Sequence, residues 1–324
     1  MAFIYFTEQG SKLLKSGNRL IVEKDGEKIA DIPLIKIETI LLYGNIQITT
    51  PALKMFMDEG IDIAFFTMNG KLCGILNPIK SKNIILRLKH FELARNPDFA
   101  LKIAKSLVSA KIKNMQAVLK AYLKNYSDGE IANAVQDLKL RLAGIAPKCK
   151  AANLLGVEGS STQVYYSALR RMFRGELRFN GRNRQPPRDE VNALLSFCYV
   201  ILGNEITMLL NGCGLDPYLG FYHGIQYGRA SLAMDLLEPF RPAIDRFVLS
   251  LANLGIFKKA DFEQREGGIY LTQSSMKRFF RHWQEFLTVS SGSHKSTRDN
   301  IYSQIESLIK GLNQSGEFEP FLIE

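Results

Sequence analysis

The residue types and spacing best suited to catalysis are a histidine and two acids in the second half of the chain. His223 follows a turn-forming run, residues 212–217, and Asp235 and Glu238 come downstream of it. These acids are one helical turn apart, so their carboxylates share one face of a short helix. Two carboxylates and one imidazole suit a hard divalent cation such as Mg²⁺ or Mn²⁺. Because surface acids are often only solvated, a metal site and a solvated helix face both stay open.

A third carboxylate stands alone in an apolar and small-residue run. Glu158 lies in LLGVEGSS, residues 154–161, and is predicted near the start of a helix. As a first-turn acid it would interact with the helix dipole, which contributes only about 0.3–1 kcal/mol. The flanking Gly156 and Gly159 would let a large ligand approach the backbone, which a capping acid does not require. A ligand role and a capping role are both compatible with this pattern.

The densest basic segment of the chain follows Glu158 and contains arginine but no lysine. Its members are Arg170, Arg171, Arg174, Arg178, Arg182, Arg184 and Arg188. Guanidinium groups match phosphate oxygens in a bidentate way and are weakly hydrated, so this segment favours phosphate binding over mere solubility. The spacing predicts that Arg171, Arg174 and Arg178 share one face of a helix.

The remaining histidines and the missing motifs narrow the possible functions. His90, His282 and His294 are expected to be surface or helix-cap residues, since no pattern of acidic partners accompanies them. The sequence has no Walker-type loop, no G-x-S-x-G elbow, no H-E-x-x-H and no complete dinucleotide fingerprint. Hydrolase triads and nucleotide cofactors are therefore excluded as interpretations.

The elements that must position these residues fall into two parts. Before Asn77-Pro78, short apolar runs predict strands at 3–7, 19–24, 27–32, 38–43, 61–66 and 71–76. Asp25-Gly26 and Asn69-Gly70 are predicted hairpin turns, and one helix is predicted from about Thr50 to Glu59.

Beyond Asn77-Pro78 the hydrophobic period changes to about 3.6 residues, which predicts helices. They are expected near 98–126, 130–144, 157–179, 188–212, 229–237, 240–254, 274–287 and 296–312, with one strand at 268–272. The predicted fold class is α+β with two domains. Residues 1–78 form a small β-rich domain, and residues 79–324 form a larger, mainly α-helical domain that carries the acids, His223 and the arginines.

Composition and charge fit this division. The chain has 324 residues, of which 46% are hydrophobic and 23% charged, as in an ordinary globular protein. Apolar stretches such as 194–202 are shorter than the ~20 residues of a membrane span, and the N-terminus lacks a signal pattern. We therefore expect a cytoplasmic protein without a membrane segment. The net charge of +10 falls entirely in residues 81–324, which predicts a polyanionic partner for the helical domain.

Three blocks of the sequence, residues 154–169, 179–202 and 214–248, resemble the CRISPR adaptation integrases, also called the CRISPR-associated endonucleases of spacer acquisition. Order and spacing agree with this family to about residue 290, beyond which nothing carries over. The resemblance implies that Glu158, His223 and Glu238 are catalytic and bind Mg²⁺ or Mn²⁺. Some members have Asp where this chain has Glu238.

Asp235 occupies the neighbouring acidic position of the family, and we expect it to orient the site without binding the metal directly. Glu238 has one more methylene with which to reach His223 and Glu158. Pro239 disfavours helical geometry in the residue before it, which predicts that Glu238 closes its helix at a break. Asp235, one turn earlier, could hydrogen-bond Arg229, His223 or a metal-bound water.

The resemblance also implies a reaction and partners. The reaction is insertion of foreign DNA fragments as new spacers into a CRISPR array, by attack of a 3′-OH on repeat phosphodiesters. Double-stranded DNA, as prespacer and as repeat, would be the substrate. The DNA backbone would be positioned by Arg171, Arg174, Arg178, Arg182, Arg229 and Arg241. Members are homodimers joined through the β-rich domain, and two such dimers flank a dimer of a small second adaptation protein in a heterohexamer.

Two other functions remain compatible with the residues. One is a stand-alone, structure-specific nuclease for branched DNA, which would use the same site without a partner. The other is a DNA-binding module without enzymatic activity, in which the acids are structural and binding is independent of metal.

Overall fold

The computed structural model describes residues 2–68, 70–78, 83–145, 150–183, 186–290 and 294–323, without the side chains of Ala2 and Ala152. It divides the chain into two units, Met1–Asn83 with Asn211–Gly214, and Ile84–Leu210 with Leu215–Glu324. Asn69 of the predicted second turn and Arg184 of the arginine segment lie outside the described residues.

Strands form most of the first unit, in two sheets. Their bounds are β1 Ala2–Phe6, β2 Lys12–Ser16, β3 Arg19–Lys24, β4 Glu27–Pro33, β5 Ile37–Tyr43, β6 Gln47–Ile48, β7 Asp62–Phe66 and β8 Leu72–Leu76, and α1 spans Thr50–Asp58. One sheet has the order β1-β5-β7-β8 and the other β4-β3-β2-β6. In the first, only the β7–β8 pair is antiparallel. In the second, β2 and β6 are parallel and the other pairs antiparallel.

The core of this unit explains its strands. Leu13, Leu20, Ile40 and Ile63 are fully buried, and they pack in one cluster with Phe56 of α1. The predicted turn at Asp25-Gly26 is present, because both residues have positive φ and join antiparallel β3 and β4. Two strands, β2 and β6, were not predicted.

Helices dominate the second unit. Their bounds are α2 Ile84–Ala94, α3 Pro97–Leu123, α4 Gly129–Ala143, α5 Ala151–Met172, α6 Glu190–Cys213, α7 Ser231–Leu237, α8 Arg241–Asn253, α9 Gln273–Thr288 and α10 Thr297–Leu312. A short antiparallel hairpin, β9 Phe262–Arg265 and β10 Gly268–Leu271, precedes α9. The predicted fold class, a strand-rich region followed by a mainly helical region, is confirmed.

Helix α5 begins and ends earlier than the sequence predicted. Asn253 ends it, because the Asn253 side-chain amide donates to Met172 O at 2.9 Å and its Oδ1 accepts from Arg174 N, also at 2.9 Å. A Cβ at Gly175 would lie only 2.6 Å from Ala252 O, so the chain leaves the helix in close contact with the end of α8. The prediction that Arg171, Arg174 and Arg178 share a helical face is therefore wrong.

Helix α6 is the one described helix that is long and apolar enough to cross a membrane. However, 72% of its most apolar window is buried inside the protein. The shorter runs considered in the sequence, such as 194–202, belong to this helix. Its surroundings are those of a core helix.

Candidate active site

Three charged side chains from separate elements of the second unit meet at one point. The ammonium group of Lys111, on α3, donates to Glu158 Oε1 on α5 and, at 2.6 Å, to Glu238 Oε2 at the junction of α7 and α8. The exposed fraction of the side chain is 6% for Lys111 and Glu238 and 21% for Glu158. Two carboxylates that are far apart in sequence thus converge on one cation.

Glu158 lies well inside its helix. Since α5 begins at Ala151, Glu158 is in the second turn, and the interpretation as a first-turn capping acid is wrong. Its Oε1 also accepts a hydrogen bond of 3.0 Å from Thr162 Oγ1, one turn further along. A Cβ at Gly156 or Gly159 would meet nothing within 4 Å, so this side of α5 is open to a large ligand.

Glu238 is held at a change of helix type. Helix α7 ends at Leu237, residues Glu238–Phe240 form a 3-10 turn, and α8 follows. The predicted break is therefore present. The backbone of Glu238 nevertheless stays in the right-handed helical region, at φ −54° and ψ −45°, so the expected effect of Pro239 on its conformation is absent.

Residues 318–323 help to hold the turn that carries Glu238 in place. Asn114 of α3 donates to Pro239 O at 2.7 Å and to Phe321 O at 3.0 Å, and its Oδ1 accepts from Ile323 N at 2.8 Å. The ring of Phe321 stacks on that of Phe240, with centroids 4.4 Å apart. No role was predicted for this segment, which lies beyond the resembling blocks.

The charge of Glu238 is set by two cations. Burial by itself raises the pKa of Glu238, but Arg241 and Lys111 together outweigh it and hold the pKa well below its usual range. Arg241 Nε donates to Glu238 Oε1 at 2.8 Å, and its guanidinium lies over the Tyr199 ring at 4.6 Å. Glu238 is therefore ionised although it is buried.

His223 is positioned by Asp235, as the sequence suggested it could be. Its Nδ1 lies 2.6 Å from Asp235 Oδ1, and that carboxylate also accepts bonds from the backbone amides of Phe221, Tyr222 and His223. Asp235 is fully buried, so its bonding capacity is used within the protein. Since Nδ1 faces Asp235, Nε2 is the nitrogen that His223 can offer to a ligand.

The segment that carries His223 depends on residues that the sequence did not single out. A Cβ at Gly220 would lie 2.7 Å from Asp235 Oδ2, so glycine is required for this close approach. His90 was expected to be a surface or helix-cap residue but is fully buried, with Nε2 at 3.0 Å from Leu219 O and its ring 5.6 Å from that of Phe221. His90, which lies on α2, thus packs against the segment that carries His223.

Tyr222 places a hydroxyl beside the acids. The hydroxyl is buried and has no hydrogen-bond partner among the described residues. Burial, and then the carboxylates of Glu158, Glu238 and Asp235, raise the pKa of Tyr222 far above its usual value. The hydroxyl therefore stays protonated and remains a donor for a group that enters the site.

The side chains of this site are of the types that bind a hard divalent cation, but Lys111 lies between the two glutamates. Among the described residues, no group of three His, Cys, Asp or Glu side chains is close enough to bind a metal ion as it stands. The carboxylates of Glu158 and Glu238 do converge on a cation, and Nε2 of His223 and the Tyr222 hydroxyl supply further polar atoms. The place that a metal would take between the two glutamates is held by Lys111.

The arginines proposed to contact DNA divide into two groups. Arg182 donates to Asn192 Oδ1 at 2.8 Å and to Ser196 Oγ at 3.0 Å, and Arg241 is bound to Glu238, so both are engaged with protein groups. Whether these two also contact DNA stays a prediction.

The other arginines of the set lie nearer the surface. Arg171 pairs with Asp128 at 2.8 Å, and Arg174 lies over the Tyr126 ring at 3.7 Å. Both are exposed, as is Arg178. Arg229 is half-buried and donates to Gly224 O at 2.5 Å, in the segment that follows His223.

A strand-rich region followed by a mainly helical region matches the fold of the CRISPR-associated Cas1 proteins. Residues 4–285 match the model of the family described as CRISPR associated protein Cas1. The chain belongs to this family.

Individual relatives agree with the family model. The CRISPR-associated endonuclease Cas1 1 of Thermus thermophilus is 30% identical over 325 residues, 99% of each chain. The structure of a CAS1 protein from Thermotoga maritima has a TM-score of 0.81 and 26% identity, covering 98% of this chain and 99% of that one. A casposase bound to integration product has a TM-score of 0.81 and 23% identity, covering 100% and 95% of the two chains, which shows a shared fold.

Proposed function

We propose that this protein is a divalent-metal-dependent DNA integrase and endonuclease that inserts foreign DNA fragments into a CRISPR array. The observation that carries the proposal is the convergence of Glu158 and Glu238 on one cation, in the unit that also holds the His223–Asp235 pair. Family membership and the casposase fold support a role in DNA cleavage and joining.

The chain's own residues would divide the work of this reaction. Glu158, Glu238 and Nε2 of His223 would hold Mg²⁺ or Mn²⁺, and Asp235 would keep the imidazole in place. When bound, the metal would polarise the scissile phosphate and lower the pKa of the attacking hydroxyl. The hydroxyl of Tyr222, which is protonated and buried, can donate a hydrogen bond to an oxygen that enters the site.

Binding of double-stranded DNA belongs to the same proposal. The excess of basic residues in 81–324 and the exposed Arg171, Arg174 and Arg178 support it. Arg229 is retained because it lies next to the segment that carries His223. These contacts would place the repeat phosphodiester and the 3′-OH of the incoming fragment at the metal site.

The proposed partners are a second copy of the chain and a dimer of the small second adaptation protein, assembled as a heterohexamer in the cytoplasm. The fold is shared, at a TM-score of 0.81 and 23% identity, with part of a Cas6-RT-Cas1–Cas2 complex. Dimerisation through the first unit is supported by its edge strands, since edges such as β1 and β4 are commonly paired or covered. Light scattering should give a dimer at micromolar concentration, and a dimer that persists without residues 1–80 would contradict this interface.

The decisive experiment joins DNA. The protein, the small adaptation protein, Mn²⁺ or Mg²⁺ and a duplex with 3′-OH ends are incubated with a supercoiled plasmid that contains the repeat. The duplex carries a label, and we expect it to be joined covalently to the repeat, so that the plasmid becomes labelled. Cleavage of branched DNA without joining, and without need of the partner, would indicate a stand-alone nuclease. DNA binding that is unaffected by chelators, with neither cleavage nor joining, would indicate a binding module.

A further inference from the structure

Lys111 differs from the other lysines of its helix. Within the described helix α3, Lys111 alone among the lysines is buried, whereas Lys102, Lys113 and Lys120 are exposed. Burying an ammonium group is costly unless anions compensate it. Glu158 and Glu238 do so, and each accepts a charge-assisted hydrogen bond from Lys111.

The two carboxylates that bond Lys111 are balanced by cations without any metal. Two carboxylates, Glu158 and Glu238, face two cations, Lys111 and Arg241. A divalent cation added to this cluster would leave an excess of positive charge in a buried place, which is unfavourable. Entry of a metal therefore requires that one of the resident cations leaves the carboxylates.

Lys111 is the cation that can leave. Arg241 binds the other oxygen of Glu238, Oε1, and its guanidinium is also stacked over Tyr199. Lys111 instead bonds Glu158 Oε1 and Glu238 Oε2, the oxygens that face each other across the site. Its charge sits on a flexible four-carbon stem, so the ammonium can withdraw without movement of the backbone.

We propose that Lys111 is an internal counter-cation of the carboxylate pair: it neutralises Glu158 and Glu238 in the metal-free protein, and a divalent metal ion enters by exchange with its ammonium group. This inference rests on the proposed function, because it takes the two glutamates as metal ligands. It assigns Lys111 a positioning role that keeps the two carboxylates together before the metal arrives.

The test measures metal binding and not activity. Metal-free full-length protein is titrated with Mn²⁺ by calorimetry, for the wild type, Lys111→Met and Lys102→Met. Lys102 is the matched control, since it pairs with Glu317 on the surface at 2.9 Å. Without a competing ammonium, Lys111→Met should bind Mn²⁺ at least roughly tenfold more tightly than the wild type. Its metal-free melting temperature should fall, and the rise on adding Mn²⁺ should exceed that of both other proteins.

Equal or weaker Mn²⁺ binding by folded Lys111→Met would overturn the exchange. If the wild type itself bound no Mn²⁺, the proposed metal-dependent function would fail instead, so the two failures are distinguishable. Should Lys111→Met not fold, labelling of wild-type lysines with an amine-reactive reagent, read by mass spectrometry, gives the answer. Labelling of Lys111 should increase with saturating Mn²⁺ while that of Lys102 stays constant, and an unchanged or decreased rate at Lys111 would contradict the proposal.

Discussion

The pKa values of two buried carboxylates are shifted in opposite directions. Glu238 lies just before α8, and Asp245 lies on α8. Glu238 faces Arg241 and Lys111, which outweigh the effect of burial and lower its pKa. Asp245 accepts a hydrogen bond from the Tyr199 hydroxyl, and burial prevails there, so the pKa of Asp245 is raised to about 6. Burial raises the pKa of both carboxylates, but only Glu238 is bonded by cations that outweigh the effect.

Arg241 links the two regions. It binds Glu238 through Nε and lies over the ring of Tyr199, the residue that donates to Asp245. The Tyr199 hydroxyl also lies 3.0 Å from that of Tyr166. The phenol-lined region thus supports the guanidinium that keeps Glu238 ionised, whereas the cation-lined region is the one that can exchange a cation.

The largest expected effect is that of replacing Glu238, compared with the same kind of replacement at Asp245. Glu238→Gln should abolish metal-dependent strand transfer, because the neutral amide cannot serve as an anionic ligand, whereas Asp245→Asn should retain it. The plasmid-joining assay measures both. Glu317→Gln, the same change at a surface position that pairs with Lys102, is the matched control. Full strand transfer by folded Glu238→Gln would show that the ionised carboxylate is not required.

A smaller effect is expected from replacing Asp235, one helical turn before Glu238. Asp235→Asn should lower strand transfer by about 10–100-fold, since Asp235 bonds His223 and its proposed role is to orient the imidazole without binding the metal directly. The remaining activity should rise with added Mn²⁺, which compensates for a weaker imidazole ligand. If Asp235→Asn abolished activity while Glu238→Gln kept part of it, or if a crystal soaked with metal placed the ion on Asp235, the roles of the two acids would be reversed.

The pH dependence of stability sharpens the contrast at Asp245. Because the folded pKa is raised from 3.8 to about 6, the stability that this group contributes is fully present below about pH 4. It is lost as pH rises through about 6, and the loss amounts to about 3 kcal/mol at most. Asp245→Asn does not titrate, so its stability relative to the wild type should increase between pH 4 and 6 and stay constant above. Denaturant unfolding at several pH values measures this, and a difference that does not change with pH would contradict the raised pKa.

The smallest expected effect is on DNA binding, when exposed arginines are replaced. Arg241 is committed to protein groups, whereas Arg174 and Arg178 are exposed. Replacing both exposed residues by Ala should reduce the slope of log affinity for duplex DNA against log salt by ~0.9 for each lost phosphate contact. Lys102→Met, which removes one positive charge elsewhere on the surface, is the control. An unchanged slope and affinity in the double variant would show that these arginines are only solvated.

The sequence predicted the parts of the fold that have local signals. Turn dipeptides and apolar periods indicated most strands and helices, but β2 was missed because its pattern, KLLKS, carries two leucines between lysines. Leu13 of that strand is fully buried in the core cluster, and β2 pairs antiparallel with β3 and parallel with β6. The end of α5 was misplaced because Asn253, far along the chain, terminates it.

The candidate site shows the same limit. Glu158, His223, Asp235 and Glu238 could be chosen from their types, spacing and family resemblance. Lys111 could not, because it lies among other lysines on an amphipathic helix and nothing local marks it as buried. Gly220 and Tyr222 were missed for a similar reason, since their importance depends on the distances to Asp235 and to the glutamates.

The clamp formed by Asn114 and residues 318–323 has a consequence for biosynthesis. The turn that carries Glu238 is complete only when Phe321 stacks on Phe240 and the Asn114 side chain has bonded Phe321 and Ile323. Phe321 is translated roughly 80 residues after Glu238, which takes about 4–16 s at ordinary ribosome speeds. The strand-rich unit can fold within that time, whereas the contacts of the candidate site with Phe321 and Ile323 cannot yet form. A chain that stops before Phe321 is therefore expected to carry Glu158, His223, Asp235 and Glu238 but to lack the contacts that hold the turn of Glu238 in place.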